Sequence, residues 1–244
     1  MRKYLYLSSV ESTNQWLKAR IREENLPEGF VVRAGFQEAG RGQGSNRWES
    51  ERGRNLLCSV LLRPEHIPVG SQFLLSQLIA LAILNTLRQL VPLQRDVFSV
   101  KWPNDIYWHD RKLGGILIEN IIQGGLIKAC ILGVGINVNQ KKFYSDAPNP
   151  VSLLQLTDNR HRVVNVMNGI LVHLFDLYQQ PAEVIQTAYH AALYRREGFH
   201  RFYSVGKGYF EAQILRVEDD GRLVVKEKTG AESGFYFKEV QFIV

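Results

Sequence analysis

Six apolar stretches, KYLYLSSV, GFVVRAGFQE, NLLCSVLLR, VFSVKW, LGGILIENII and LIKACILGVGIN, are rich in β-branched and aromatic residues and predict strands. Between the last two, Gln123-Gly124-Gly125 signals a tight hairpin, so these strands are expected to be antiparallel neighbours. Helical periodicity takes over in residues 71–90, in NVMNGILVHLFDLY and in PAEVIQTAYHAAL, the last opening on Pro181 where a helix tolerates proline. A further helix is expected after Ser12, which is followed three residues later by Gln15 in a capping-box pattern and then by Trp16, Leu17 and Ile21. The order of elements predicts an α+β protein whose mixed, mostly antiparallel sheet is packed against helices.

The pattern changes near Phe199. From Tyr209 onward, short β runs alternate with turns at Asp219-Asp220-Gly221 and Thr229-Gly230 and no helix appears, which predicts a small SH3-like β-barrel. The expected division is a larger domain over residues 1–198 and an SH3-like domain over 199–244, the edges of the latter covered by the former.

Composition narrows the class. A chain of 244 residues buries enough surface to dispense with disulfides and structural metal, and 45% hydrophobic with 22% charged residues is ordinary for a globular protein. Gln72, Ser76, Gln77 and Asn85 interrupt the longest apolar stretch, which reads as a buried helix and not a membrane span. The N-terminus has no apolar core followed by a small-residue cleavage site, so a cytoplasmic protein is expected. Cys58 and Cys130 sit in apolar strand runs and read as inert buried thiols, while the six histidines lack the close spacing of a zinc site. A formal net charge of +6 suits an anionic partner; the charge is gathered into neither tail nor helical stripe, which argues against nucleic acid.

Three segments carry chemistry that packing does not require. In VESTNQWLKARI, Ser12 to Asn14 either cap the helix only or present hydroxyl and amide groups to a small polar ring. In FQEAGRGQGSNRWES, Gly40, Gly42 and Gly44 free the backbone while Arg41 and Arg47 supply charge; with no apolar anchor before Trp48, the loop is either a surface connection or one ordered by an anion. Neither the P-loop spacing nor the dinucleotide glycine pattern is present. In KWPNDIYWHDRKLGGILIEN, Pro103 must end or bulge a strand, leaving Asn104 and Asp105 at its tip. Asp105 could hold Mg²⁺ or accept a proton, Lys112 could neutralise a carboxylate or phosphate, and Gly114-Gly115 let the next strand pass close to a bound molecule; the alternative is a solvent-facing hairpin with a charged tip.

Together the segments STN (residues 12–14), Q-x-x-GRG (37–42) with Trp48, KWPND (101–105), RKLGGIL (111–117) and GxGIN (133–137) resemble, in order, the motifs of biotin protein ligases. The resemblance implies the fold of class II aminoacyl-tRNA synthetases and biotin synthetases. It also implies a biotin site at Ser12, Thr13, Asn14, Gln37, Gly40, Gly42, Lys112, Gly115, Leu117 and Gly133. ATP would meet Arg41, Arg47, Trp48, Asn104, Asp105, Ile136 and Asn137, with Mg²⁺ at Asp105, and Lys112, Arg41 and Asp105 would be catalytic. The glycine-rich loop departs from the commoner family pattern GRGRxGRxW: Gln43 and Asn46 stand where arginines are usual.

The implied reaction joins biotin to AMP at the expense of ATP and then passes it to a lysine of a biotin carboxyl carrier protein, a subunit of a biotin-dependent carboxylase. Some family members carry an N-terminal DNA-binding domain; none is expected here, nor operator or membrane binding, and the resemblance allows a monomer or a homodimer. Lipoate or octanoate ligases of the same fold are the alternative enzymes, and a nucleic-acid-binding module is the alternative outside enzymes.

Overall fold

The computed structural model describes residues 4–144 and 149–243; Lys3 and Val244, at the ends of two expected strands, lie outside them. Seven strands, β1 (Tyr4–Leu7), β2 (Val31–Ala34), β3 (Leu56–Leu62), β4 (Phe98–Lys101), β5 (Asp105–Trp108), β6 (Arg111–Gln123) and β7 (Leu126–Ile136), form one sheet in the order β1-β2-β3-β7-β6-β5-β4. Only the β1–β2 pair is parallel. The expected hairpin joins β6 to β7, with Gly124 and Gly125 both at positive φ as a two-residue turn demands.

Strand alternation divides the core. Leu56, Cys58, Val60 and Leu62 of β3 and Cys130, Leu132, Val134 and Ile136 of β7 face α2 (Phe73–Leu90), α4 (Val163–Leu177) and α5 (Ala182–Ala191). On the opposite face, Leu61, Ala129 and Ile131 meet Leu17 of α1 (Thr13–Glu23), which is fully buried and so contributes roughly 2 kcal/mol. The apolar stretch at 69–90 is therefore the central core helix, as its polar interruptions indicate. Both cysteines are buried and unpaired, and burial pushes the Cys58 thiol up to about 12.

Two details depart from expectation. Ser12 makes no side-chain cap to α1. The capping box belongs instead to α3 (Leu153–Thr157), a five-residue helix too short to announce itself by periodicity: Ser152 accepts from the Gln155 backbone while the Gln155 side chain accepts from the Ser152 N–H at 3.0 Å.

The remaining strands, β8 (His200–Ser204), β9 (Gly208–Val217), β10 (Leu223–Glu227), β11 (Glu232–Phe235) and β12 (Gln241–Phe242), form a second, antiparallel sheet in the order β11-β10-β9-β8-β12. Its buried residues Phe202, Ile214, Leu223 and Val225 join the core under α2. At the junction, Trp102 Nε1 donates to the Gly221 carbonyl at 2.9 Å.

Candidate active site

The face of the large sheet that carries α1 changes character at the C-terminal end of β7. There, Gly133 and Gly135 take the positions that Ala129 and Ile131 fill further along the strand. A cavity of about 690 Å³ opens over them, well within the range of small-molecule sites.

Its floor is polar and held in part by its own hydrogen bonds. The chain leaving β1 runs beside the chain leaving β2, with Val10 bridging Gln37, so that Ser12, Thr13 and Asn14 arrive buried next to Gln37. Thr13 donates to Gln37 Oε1 from its backbone N–H at 2.8 Å and from its hydroxyl at 2.9 Å. Asn14 Nδ2 donates to the Leu117 carbonyl at 3.2 Å and to Glu119 Oε2 at 3.0 Å, and the Ser59 hydroxyl lies 2.6 Å from Asn14 Oδ1. Gly133 permits this approach: a Cβ there would stand 2.3 Å from Asn14 Oδ1. Ser12 to Asn14, Gln37, Leu117 and Gly133 thus come together at one end of the cavity.

The glycine-rich loop forms the lid side. Its backbone folds into a small hairpin, with Gly42 N–H donating to Asn46 O at 2.8 Å and Trp48 N–H to Gly40 O at 3.0 Å. With its amide oxygen turned toward the loop, Gln15 accepts from Arg41 Nη1 at 3.0 Å and Nη2 at 2.6 Å, so the residue read as half of a capping box steers an arginine instead. Trp48 lies across the sheet: Cβ atoms added to Gly115 and Gly135 would meet its ring at 3.2 and 2.6 Å.

The charged hairpin supplies the third side. Pro103 does end β4, and β5 begins at Asp105, directly across from Gly115 on β6. Asn104 is pinned to β6, its Nδ2 donating to Ile116 O at 2.7 Å. Asp105 Oδ1 meets Lys112 Nζ at 2.6 Å, both side chains 22% exposed. Lys101 lies in the same wall, donating to the Tyr107 hydroxyl at 3.1 Å; burial holds its ammonium below the usual lysine range, with Asp105 opposing that shift.

Arg41, Arg47, Lys101, Lys112 and Lys238 set five cations against one carboxylate, Asp105, among the described lining residues. Such a wall attracts an anion of several charges. Among the described residues no cluster of three or more His, Cys, Asp or Glu side chains could hold a metal by themselves. A Mg²⁺ held here would have Asp105 as its one carboxylate among the described lining residues, drawn from the pair with Lys112, and would need other ligands to complete its shell.

Three implied residues fall outside this cavity. Ile136 follows strand alternation into the helix-side core, and Asn137 is 4% exposed with Nδ2 committed to the Val151 carbonyl at 3.1 Å. Gly40 shapes the loop from behind, since a Cβ there would lie 2.5 Å from Trp48 O. Conversely, Lys101, Trp102 and Pro103 line the cavity, as do Phe237, Lys238, Val240, Gln241 and Phe242 from the second sheet. Lys101 stood in a quoted motif; the C-terminal residues carry no pattern that would have marked them.

An α+β scaffold with this cavity, amide and hydroxyl groups at one end and cations at the other, is suited to a small polar molecule beside an anionic one. Residues 6–137 match the model of the biotin/lipoate A/B protein ligase family, more than half of the chain, and the chain belongs to that family. It is 29% identical over 242 residues to the bifunctional ligase/repressor BirA of Bacillus subtilis, across 94% of this chain and 71% of that protein. Over 162 residues it is 34% identical to the biotin–[acetyl-CoA-carboxylase] ligase of Mycobacterium tuberculosis, covering 65% and 59% of the two chains. The fold is that of the biotin protein ligase from Aquifex aeolicus solved in complex with biotin and ATP, at a TM-score of 0.79 and 21% identity over the whole of both chains.

Proposed function

We propose that this chain is a biotin protein ligase that activates biotin as biotinyl-5′-AMP and transfers it to a lysine of a biotin carboxyl carrier domain, and that residues 1–198 and 199–244 act as its two domains. The observation that carries the reading is the Asp105–Lys112 pair, set in one cavity between the wired amide floor and the cationic loop. In this reading the floor takes the uncharged ureido ring: Ser12, Thr13, Asn14 and Gln37 can bond its N–H and C=O groups without adding charge. An alkyl chain such as that of lipoate or octanoate gains nothing from such groups.

The ring so held directs the biotin carboxylate toward Lys112. There its oxygen attacks the α-phosphorus of ATP, and pyrophosphate leaves. Lys112, Lys101, Arg41 and Arg47 face the phosphoryl oxygens on which charge develops, and preorganised donors of this kind contribute roughly 3–4 kcal/mol each. Mg²⁺ at Asp105 would neutralise phosphate charge. Trp48, lying flat over Gly115 and Gly135, offers an apolar face to the nucleotide and narrows the site.

In the second step the neutral amine of the carrier lysine attacks the acyl carbon, and the acyl–phosphate bond breaks to release AMP. In this reading Asp105 orients that amine or takes its proton. Enclosure by the loop suits an intermediate that water would otherwise hydrolyse.

The test is ATP–pyrophosphate exchange by the purified protein with biotin, lipoate or octanoate and no acceptor. Exchange that depends on biotin is expected; exchange supported by lipoate or octanoate instead would transfer the assignment to the other branch of the family, and none with any acid would end it.

A further inference from the structure

The glycine-rich loop carries one arginine, Arg41, before Arg47, and that arginine is engaged by Gln15. Opposite the loop stands the turn between β11 and β12. It is closed by its own bonds: Glu239 N–H donates to Tyr236 O at 3.0 Å and Tyr236 N–H to Glu239 Oε2 at 2.6 Å. The turn holds Lys238 at φ 72°, a left-handed conformation that costs a non-glycine residue energy and here aims the side chain at the loop.

The aim is close. A Cβ on Gly44 would lie 3.0 Å from Lys238 Nζ and 3.4 Å from its Cε, so the lysine tip rests in the space that a side chain at position 44 would take. The ammonium makes no ion pair or hydrogen bond among the described residues, and it stands 5.7 Å from the centre of the Phe237 ring. Lys238 and the loop residues Arg41, Gly42, Gln43, Asn46 and Arg47 border the same cavity.

We infer that Lys238 is a phosphate-contacting residue that reaches over Gly44 from the second sheet, supplying the charge that the loop lacks at Gln43 and retaining the acyl-adenylate until the carrier arrives. This deepens the proposed ligation. A bound phosphate would draw Lys238 and the loop together across the cavity mouth, and no covalent change is involved.

The experiment uses full-length protein as wild type, Lys238→Met, Lys238→Arg and the double variant Gln43→Arg with Lys238→Met. Adenylate formed from biotin and α-labelled ATP is diluted into unlabelled substrates, and its loss is followed in time. Lys238→Met is expected to lose it about tenfold faster, the size of one charge-assisted contact. Lys238→Arg should behave as wild type, and an arginine at position 43 should restore retention in the double variant. Equal retention in Lys238→Met and wild type would overturn the inference. So would faster loss in Lys238→Arg and in the double variant alike, which would mark the lysine's shape and not its charge as the cause. ATP binding without biotin, measured by calorimetry against salt, reads Lys238 independently of which acid is activated: about tenfold weaker binding with a shallower salt dependence supports the contact, and unchanged binding rejects it.

Discussion

Gly133→Ala tests the reading of the cavity floor. The added methyl would stand 2.3 Å from Asn14 Oδ1 and 2.9 Å from the Leu117 carbonyl, about 1 Å inside ordinary contact at the nearer atom. The strand cannot yield, because Gly133 is paired to Ser59 on one side and Leu117 on the other. Asn14 must therefore move, loosening its bonds to Ser59, Leu117 and Glu119. Overpacking of this kind costs about 1–3 kcal/mol, and a net 0.5–1.5 kcal/mol for each of the three weakened bonds brings the total to roughly 3–7 kcal/mol. Urea denaturation of wild type, Gly133→Ala, Asn14→Ala and the double variant measures it. The double variant should be at least about 1 kcal/mol more stable than the sum of the single losses implies, because truncating Asn14 removes the nearer clash. The KM for biotin should rise in Gly133→Ala by more than the KM for ATP. Strict additivity together with an unchanged biotin KM would show that the floor is neither as tight nor as closely tied to biotin as described.

Asp105→Asn should slow transfer to a carrier domain by about 10²-fold or more beyond any slowing of pyrophosphate exchange, as measured by single-turnover chase; equal losses in both steps would remove Asp105 from the transfer step. Lys101 is held below the usual lysine range by burial, so its charge is lost at a lower pH than that of an exposed lysine. The KM for ATP should therefore begin to rise in the alkaline range below pH 10.4, and Lys101→Arg should flatten that rise. The same burial penalises the charged form in the folded state, so stability is reduced while both states are protonated and recovers as pH climbs through the folded pKa. Ser152→Ala removes the cap of α3 and should cost about 1 kcal/mol, a fall in Tm of roughly 2–4 °C by calorimetry, without changing exchange kinetics.

What could be read from sequence followed the range of the forces involved. Strands such as LIKACILGVGIN and the Gly124-Gly125 turn were legible because apolar pattern and φ preference are local. Ser12–Gln15 misled because a cap signature is also local, and a partner 26 positions away, Arg41, claimed the glutamine. Ile136 and Asn137 belong to a recognisable motif, yet alternation from Gly133 and Gly135 sends the Ile136 side chain to the other face. The second sheet's share of the cavity could not be read at all. Phe237 to Phe242 are ordinary residues whose importance lies in where the chain returns, more than 130 positions after Asp105 and Trp102.

That return makes the cavity a sensor of completeness. Its walls draw on Ser12 near one end of the chain and Phe242 near the other, and β12 pairs with β8 at Gln241 and Phe242, with Ile243 N–H donating to the Arg201 carbonyl at 3.1 Å. A ligand that touches every wall adds its binding free energy to the opening of each of them. Amide hydrogens at Gln241 and Phe242, which by pairing alone would exchange quickly, should then slow in step with those at Thr13 and Gly133 when ligand is added. A bound molecule would in this way couple the short strand β12 to the cavity floor at Thr13 and Gly133.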